Sequence, residues 1–317
     1  MIIKVNDDFD PKKIQVSGQC FRVKEVEDGL FRFITGEHVV YIRKIDGDAL
    51  DKSGKGRSKA GKRSESENSR FLEVSCSQEE WDSVWHEYFD LDRNYGAICK
   101  KEYGKNDFVD KTIDFGRGLR ILKQDKWEML VTFIISQRKS IPAIASAVEK
   151  ICEKFGERIE TEVLLAGCGS QSGRGLQEDC SSQAGKSLVR ETIYSFPRPE
   201  KMLSATPEDL AACGLGYRAP YVRDAVEKVC SGELDLEALA CASDDELFDS
   251  LLSVHGVGKK VANCVCLFAY LRTSRVPVDV WISRAIEEEF GGEDLFPMYG
   301  ENGGIIQQYV FYYEKNA

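Results

Sequence analysis

Between Leu251 and Ile286 the chain reads LLSVHGVGKKVANCVCLFAYLRTSRVPVDVWISRAI, and two residues in it could do covalent chemistry. Lys260 falls in the first turn of a helix that follows the tight turn His255-Gly256-Val257-Gly258. The positive end of the helix dipole disfavours an ammonium ion there and should lower the amine's pKa. A neutral amine is what nucleophilic attack requires. Asp279 follows in the run Val276-Pro277-Val278-Asp279-Val280. Pro277 favours an extended approach, so Asp279 can stand at the entrance to the next helix, ionised and held by that helix's first N–H groups.

The glycines Gly256 and Gly258 permit positive φ and close approach by another backbone. The helix after them presents free N–H groups that suit a phosphate oxygen. Lys260 and Cys264 stand at i and i+4, hence on one helix face, and Phe268 continues that face with Val261 and Val265. Each feature also has a plain structural reading. Glycine turns between helices are common, a first-turn lysine is usually just exposed, an aspartate before a helix is usually just a cap, and Cys264, like Phe311 near the C-terminal end, suits an ordinary core.

The elements that must position these groups fall into two parts. In the first, Leu30–Ile34 and His38–Ile42 flank Thr35-Gly36-Glu37 as a hairpin, and Arg70–Val74 reads as another strand. Residues 51–69, rich in Lys, Ser and Gly, read as a loop, either solvated or a basic arm for phosphates. From about residue 77 the pattern turns helical, with Trp81, Val84, Trp85, Tyr88 and Phe89 at helical spacing. Asp125-x-x-Glu128, Thr206-Pro207-Glu208-Asp209 and Ser243-x-x-Glu246 are helix starts. Residues 167–186 are poor in apolar side chains and read as an inserted loop. These signals predict an α+β chain: an antiparallel sheet domain over 1–112, then a mostly helical domain over 113–317 with a helix-hairpin-helix at 247–271.

Composition bounds the function. The chain has 317 residues, 42% apolar and 30% charged, an ordinary globular mix. No apolar run approaches the roughly 20 residues of a membrane helix, and the N-terminal segment lacks a signal-peptide pattern, so a cytoplasmic protein is expected. Its 11 cysteines are scattered and lack metal spacing, which predicts free thiols rather than disulfides. The net charge of −10 counts against a nucleic-acid partner, although backbone amides bind phosphate without entering that sum.

The combination of HGVGKK with VPVD resembles the helix-hairpin-helix, Gly-Pro-Asp superfamily of DNA glycosylases. The resemblance selects Lys260 over Lys259 as catalytic lysine and Asp279 as catalytic acid residue. No cysteine follows Cys266, which sets the chain apart from the iron–sulfur branch. Further segments resemble the 8-oxoguanine DNA glycosylase branch, whose N-terminal sheet is TBP-like. Gly18 in Ser17-Gly18-Gln19-Cys20-Phe21-Arg22 would accept from N7–H of the oxidised base, and Tyr88-Phe89-Asp90-Leu91-Asp92 matches in kind. Tyr217 and Arg218 in Gly214-Leu215-Gly216-Tyr217-Arg218-Ala219 would wedge the duplex and contact the orphaned cytosine. In Gly304–Phe311, Gln307 would read the base edge, and Phe311 would stack on the base opposite Cys264, with Phe268 in the same pocket.

Arg138, His255, Gly256 and Gly258 complete the implied DNA contacts. The run Ser136-Gln137-Arg138-Lys139-Ser140 departs from the family's Asn-rich helix end, and Ala143 replaces an arginine. Both changes predict looser discrimination of the opposite base, which steep selectivity for cytosine in a cleavage assay would refute. Trp281 replaces a histidine that contacts phosphate in the family.

The resemblance implies excision of 8-oxoguanine from duplex DNA by a monomer, through a lysine imine whose β-elimination nicks the strand. It implies no organic cofactor or redox metal; hairpins of the family can hold a monovalent cation on turn carbonyls. A glycosylase for another lesion, a hairpin that only clips phosphates, and an interaction protein without a DNA role are the alternatives. The convergence of Gly18, Gln307 and Phe311 on one pocket discriminates against the first, Lys260 with Asp279 at the family's spacing argues against the second, and the third leaves the hairpin unexplained.

Overall fold

The computed structural model describes residues 1–45, 70–166, 176–183 and 186–317; the whole of the expected loop 51–69 thus lies outside the described residues. Strands β1 (Ile2–Val5), β2 (Lys24–Glu27), β3 (Leu30–Thr35), β4 (His38–Ile45) and β5 (Arg70–Val74) form an antiparallel sheet ordered β1-β5-β4-β3-β2. The expected hairpin is β3–β4, with Thr35 opposite His38.

Both faces of this sheet are covered, which explains the nearly unbroken apolar run of β3. Phe31, Phe33, Val40 and Ile42 face the main core. There Phe33 meets Phe89 edge-on at 5.0 Å, and Trp81 and Trp85 stack on Phe89. On the other face Leu30 and Tyr41 pack with Val163 and Val189. Arg32 lies on that second face as well, and it is buried because Glu191 pairs with it and accepts a 3.0 Å hydrogen bond from Tyr41 Oη.

Val163 and Val189 belong to a second sheet that the sequence pattern did not reveal. Strands β6 (Arg158–Ala166), β7 (Leu176–Gln183) and β8 (Lys186–Tyr194) pair antiparallel in the order β6-β8-β7. The stretch 167–186, expected as loop, therefore contains strand β7 and the first residue of β8; residues 167–175 and 184–185 lie outside the described ones. Polar composition misled here because backbone pairing holds a strand whatever its side chains.

The helices start where their caps predict. Asp125 caps Lys126–Ser136, and reciprocal capping boxes open Pro207–Ala212 and Asp244–Leu252. The expected boundary at 112/113 falls inside helix Asp107–Gly116, which packs on the last helix, Gly303–Asn316, and one continuous core spans both parts. Among the described residues no helix is long and apolar enough to cross a membrane.

Candidate active site

The hairpin is built from helix Asp244–Leu252, a turn through Gly256, and helix Lys259–Tyr270. Only one of the two glycines needs its conformation. Gly256 has φ +80°, and a Cβ there would sit 2.3 Å from the Tyr221 ring. Gly258 is extended at φ −99°, caps the second helix without any side-chain bond, and faces open space. Among the described residues no side chain caps the first N–H groups of Lys259–Tyr270, which leaves them as a ready anion site. His255 is exposed, with its ring 4.8 Å from that of Tyr221 and its main-chain N donating to Asp224 Oδ2 at 2.8 Å.

Lys260 is half-buried. Its Nζ stands 3.5 Å from Ser136 Oγ and 5.4 Å over the Phe133 ring, and no described carboxylate comes within ion-pair distance. Phe133 in turn stacks on Phe268 at 5.5 Å, so aromatic carbon backs the amine. Asp279 caps helix Val280–Glu288, with Oδ1 accepting from the N–H of Trp281 and Ile282 at 3.0 Å each. Asn263, one turn after Lys260, donates from Nδ2 to Val276 O at 3.1 Å and so holds the Pro277–Asp279 segment against the hairpin helix.

Lys260 and Asp279 line one small cavity together with Ser17, Gly18, Phe133, Cys264, Phe268, Pro277, Gln307, Gln308 and Phe311. Seven residues singled out from the sequence, Gly18, Lys260, Cys264, Phe268, Asp279, Gln307 and Phe311, are thereby brought to one place. The cavity measures about 50 Å³. Small-molecule sites usually exceed about 300 Å³, so this pocket must open to take a base. Phe311 limits it: a Cβ on Gly18, at φ +76°, would lie 2.9 Å from that ring. A larger cleft of about 430 Å³, between Asp125, Trp127 and Pro197–Pro199, lacks these groups.

The loop carrying Gly18 is fixed by residues that the sequence did not single out. Gln19 Nε2 donates to Arg120 O at 2.8 Å, and Gln19 Oε1 accepts from Leu122 N at 2.8 Å. Gln308 Nε2 donates to Ser17 O at 2.6 Å. Next to it Gln307 is 3% exposed, and its buried Oε1 has no hydrogen-bond partner among the described residues. Burial pushes the Cys264 thiol pKa up; Lys260 opposes this and Asp279 adds to it.

The remaining candidates lie on neighbouring turns. Tyr217 is 52% exposed. Arg218 is buried: its Nε donates to Gln137 O at 2.8 Å, Nη2 donates to the same oxygen, and the guanidinium lies 4.3 Å over Tyr217. Contact with an orphaned base would require Arg218 to leave that carbonyl. Arg138 is exposed at φ +50°, a left-handed conformation that costs a non-glycine residue about 1–3 kcal/mol.

The family model for the 8-oxoguanine DNA glycosylase N-terminal domain matches residues 1–130, and that for HhH-GPD superfamily base excision DNA repair proteins matches residues 131–295. The chain belongs to the HhH-GPD superfamily of base excision DNA repair proteins, with an N-terminal domain of the 8-oxoguanine DNA glycosylase kind. Clostridium acetobutylicum 8-oxoguanine glycosylase/lyase, solved with duplex DNA containing cytosine opposite 8-oxoguanine, is 31% identical. That alignment covers 99% of this chain and 97% of that one, with a TM-score of 0.75. MBOgg1, solved with a low-affinity DNA ligand, is 32% identical over 99% of this chain and 94% of that one, with a TM-score of 0.78. A probable N-glycosylase/DNA lyase of Methanothermobacter thermautotrophicus is 27% identical over 241 residues, 72% of each chain. The 3-methyladenine DNA glycosylase of Archaeoglobus fulgidus, at 19% identity and a TM-score of 0.64 over 100% of this chain and 99% of that one, shares the fold.

Proposed function

We propose that the protein is a bifunctional DNA glycosylase that excises 8-oxoguanine from duplex DNA and then cleaves the strand at the resulting sugar. The observation that carries this reading is the convergence of Gly18, Gln307 and Phe311 on the cavity that holds Lys260 and Asp279. A partnerless buried Gln307 Oε1 is costly unless a ligand donor reaches it. The N–H groups on the Watson–Crick edge of a guanine-type base are such donors. The Gly18 carbonyl would accept from N7–H, which 8-oxoguanine has and guanine lacks.

Tyr217 fills the space that the flipped nucleotide leaves, while the open amides after Gly258 hold a phosphate. Extrusion costs a few kcal/mol and is least costly for damaged bases. Phe311 swings off Gly18 to admit the base, which lies between that ring and Cys264. The Lys260 amine attacks C1′; the N9–C1′ bond breaks, and its electron pair leaves with the base, which takes up a proton. Asp279 stabilises the positive charge that develops on the sugar. Opening of the sugar ring yields an imine between Lys260 and C1′. Loss of a C2′ proton then expels the 3′ phosphate and cuts the strand.

In the hairpin turn Val254 O accepts from Val257 N at 3.0 Å and Gly256 O from Gln137 Nε2 at 3.1 Å, each oxygen keeping a second lone pair for a monovalent cation. The chemistry draws on none, nor on an organic cofactor. The working unit is a single chain in the cytosol, the compartment where scattered cysteines stay as thiols.

Borohydride tests the reading. Added to the protein and a duplex with one 8-oxoguanine opposite cytosine, it should reduce the imine and leave a covalent protein–DNA band. The band should vanish in Lys260→Gln. Base release without a band would replace the lysine by attacking water, and neither release nor band would refute the activity.

A further inference from the structure

Three turns of the proposed DNA face meet at Gln137, which stands in the run that departs from the family's helix end. Gln137 is the half-buried last cap of helix Lys126–Ser136. Its side-chain Nε2 donates to Gly256 O in the hairpin turn at 3.1 Å and to Ile134 O at 3.2 Å. Its main-chain carbonyl accepts from Arg218 Nε at 2.8 Å, from Arg218 Nη2, and from Tyr217 Oη at 3.4 Å. One residue thus grips the hairpin with its side chain and the wedge turn with its backbone. Its neighbours repeat the pattern: Ser136 Oγ lies 3.5 Å from Lys260 Nζ, and Lys139 Nζ donates to Gly214 O at 2.6 Å.

Arg138, held at φ +50°, is exposed between them. A backbone in that conformation persists only where its surroundings over-determine it, and the bonds of residues 136, 137 and 139 supply that constraint. The clustering is also asymmetric in a telling way. The hairpin turn and the wedge turn are far apart in sequence, and the bonds through residues 137 and 139 tie both to the segment that also touches the lysine.

We propose that Gln137 is a positioning residue that sets the spacing between the hairpin turn and the wedge turn, so that a duplex gripped at Gly258 meets Tyr217 in register with Lys260. This rests on the functional reading above, and the spacing matters most when a base must be driven out of the stack. At a preformed abasic site no base has to leave, and attack by Lys260 depends less on the wedge.

The test compares Gln137→Met, which keeps length but removes the donor, with Tyr217→Ala and the double variant, each checked for an unchanged melting temperature. On a duplex with 8-oxoguanine opposite cytosine, Gln137→Met should raise KM and slow single-turnover base release about tenfold. Strand cleavage at a preformed abasic site should fall less than about threefold, because the lysine and aspartate are untouched. The two substitutions should be non-additive on base release, since each disables the same coupling. Equal losses on both substrates, or additivity within about twofold, would overturn the proposal. Should Gln137→Met not fold, Gln137→Glu, which offers no donor when ionised, decides by the same cycle. A wild-type protein inactive on 8-oxoguanine overturns the functional reading instead; the cycle is then read in duplex binding, where additivity overturns this proposal.

Discussion

Two helices begin inside the proposed active site, and they treat their N-termini in opposite ways. Gly258 and Asp279 are both extended N-caps, at φ −99° and −110°. Asp279 satisfies the amides of its helix with its own carboxylate, at 3.0 Å from Trp281 N and Ile282 N. Gly258 has no side chain to offer, and the space before it is open. The same electrostatic feature, the positive end of a helix, thus holds a resident anion in one case and is left for a visiting one in the other. An acidic chain can bind a polyanion in this way, because the attraction lies in backbone dipoles that net charge does not count.

The contrast can be broken experimentally. Lys260→Gln, which removes the nucleophile above the open helix start, should lower base release by at least about a thousandfold and abolish borohydride trapping. Asp279→Asn should slow base release about a hundredfold in single-turnover assays. Asparagine caps nearly as well as aspartate, so stability should change by less than about 1 kcal/mol in urea unfolding, and duplex binding should persist. Gly258→Ser should convert the open start into a closed one. A serine cap should stabilise the helix by about 0.5 kcal/mol while weakening duplex binding about tenfold, as titration with a labelled duplex would show. If binding is unchanged, the open amides do not hold phosphate.

Gln307→Met sharpens the same logic on the opposite wall. Removal of the partnerless Oε1 should leave stability unchanged or raise it by about 1 kcal/mol, yet slow 8-oxoguanine release about tenfold. A third helix start serves as the control away from the pocket. Asp125 Oδ1 accepts from Glu128 N at 2.7 Å, and burial pushes Glu128 up to about 7, with Arg22 opposing. A carboxyl raised on folding binds more protons in the folded chain than in the unfolded one. Its contribution is therefore most favourable below the ordinary value of 4.5 and is lost as pH climbs to about 7. Glu128→Gln should flatten that part of the stability curve, measured by urea midpoints at about pH 5 and about pH 8.

What the sequence disclosed follows from how local each feature is. Lys260, Asp279 and the capping boxes at Thr206 and Ser243 are written within a few residues, because helix starts are local events. The hairpin β3–β4 was equally legible from the aromatic and β-branched runs that flank a glycine-containing turn. Gly18, Gln307 and Phe311 were reached only through family resemblance, since nothing in their own neighbourhoods indicates a shared cavity. The residues that fix the site, Gln19, Gln137, Asn263 and Gln308, were given no positioning role, although three of them stand in segments that carry the resemblance or depart from it. An amide side chain reads as ordinary surface until its distant partner is known. The second sheet was missed because β7 is polar and its pairing partner is the backbone of β8. Arg218 was read as a DNA contact from the resemblance of its turn to the family's wedge; its bond to Gln137 O, 81 positions away, was not legible locally.

The bond between Gln308 and Ser17 joins positions 291 residues apart. During synthesis, the segment with Gly18 leaves the ribosome long before Gln307 and Phe311 exist. The wall proposed to recognise the base cannot form in the interim. On the proposed reading, a nascent chain carries its nucleophile without a selective pocket until helix Gly303–Asn316 docks, and that docking is the step at which reactivity acquires discrimination.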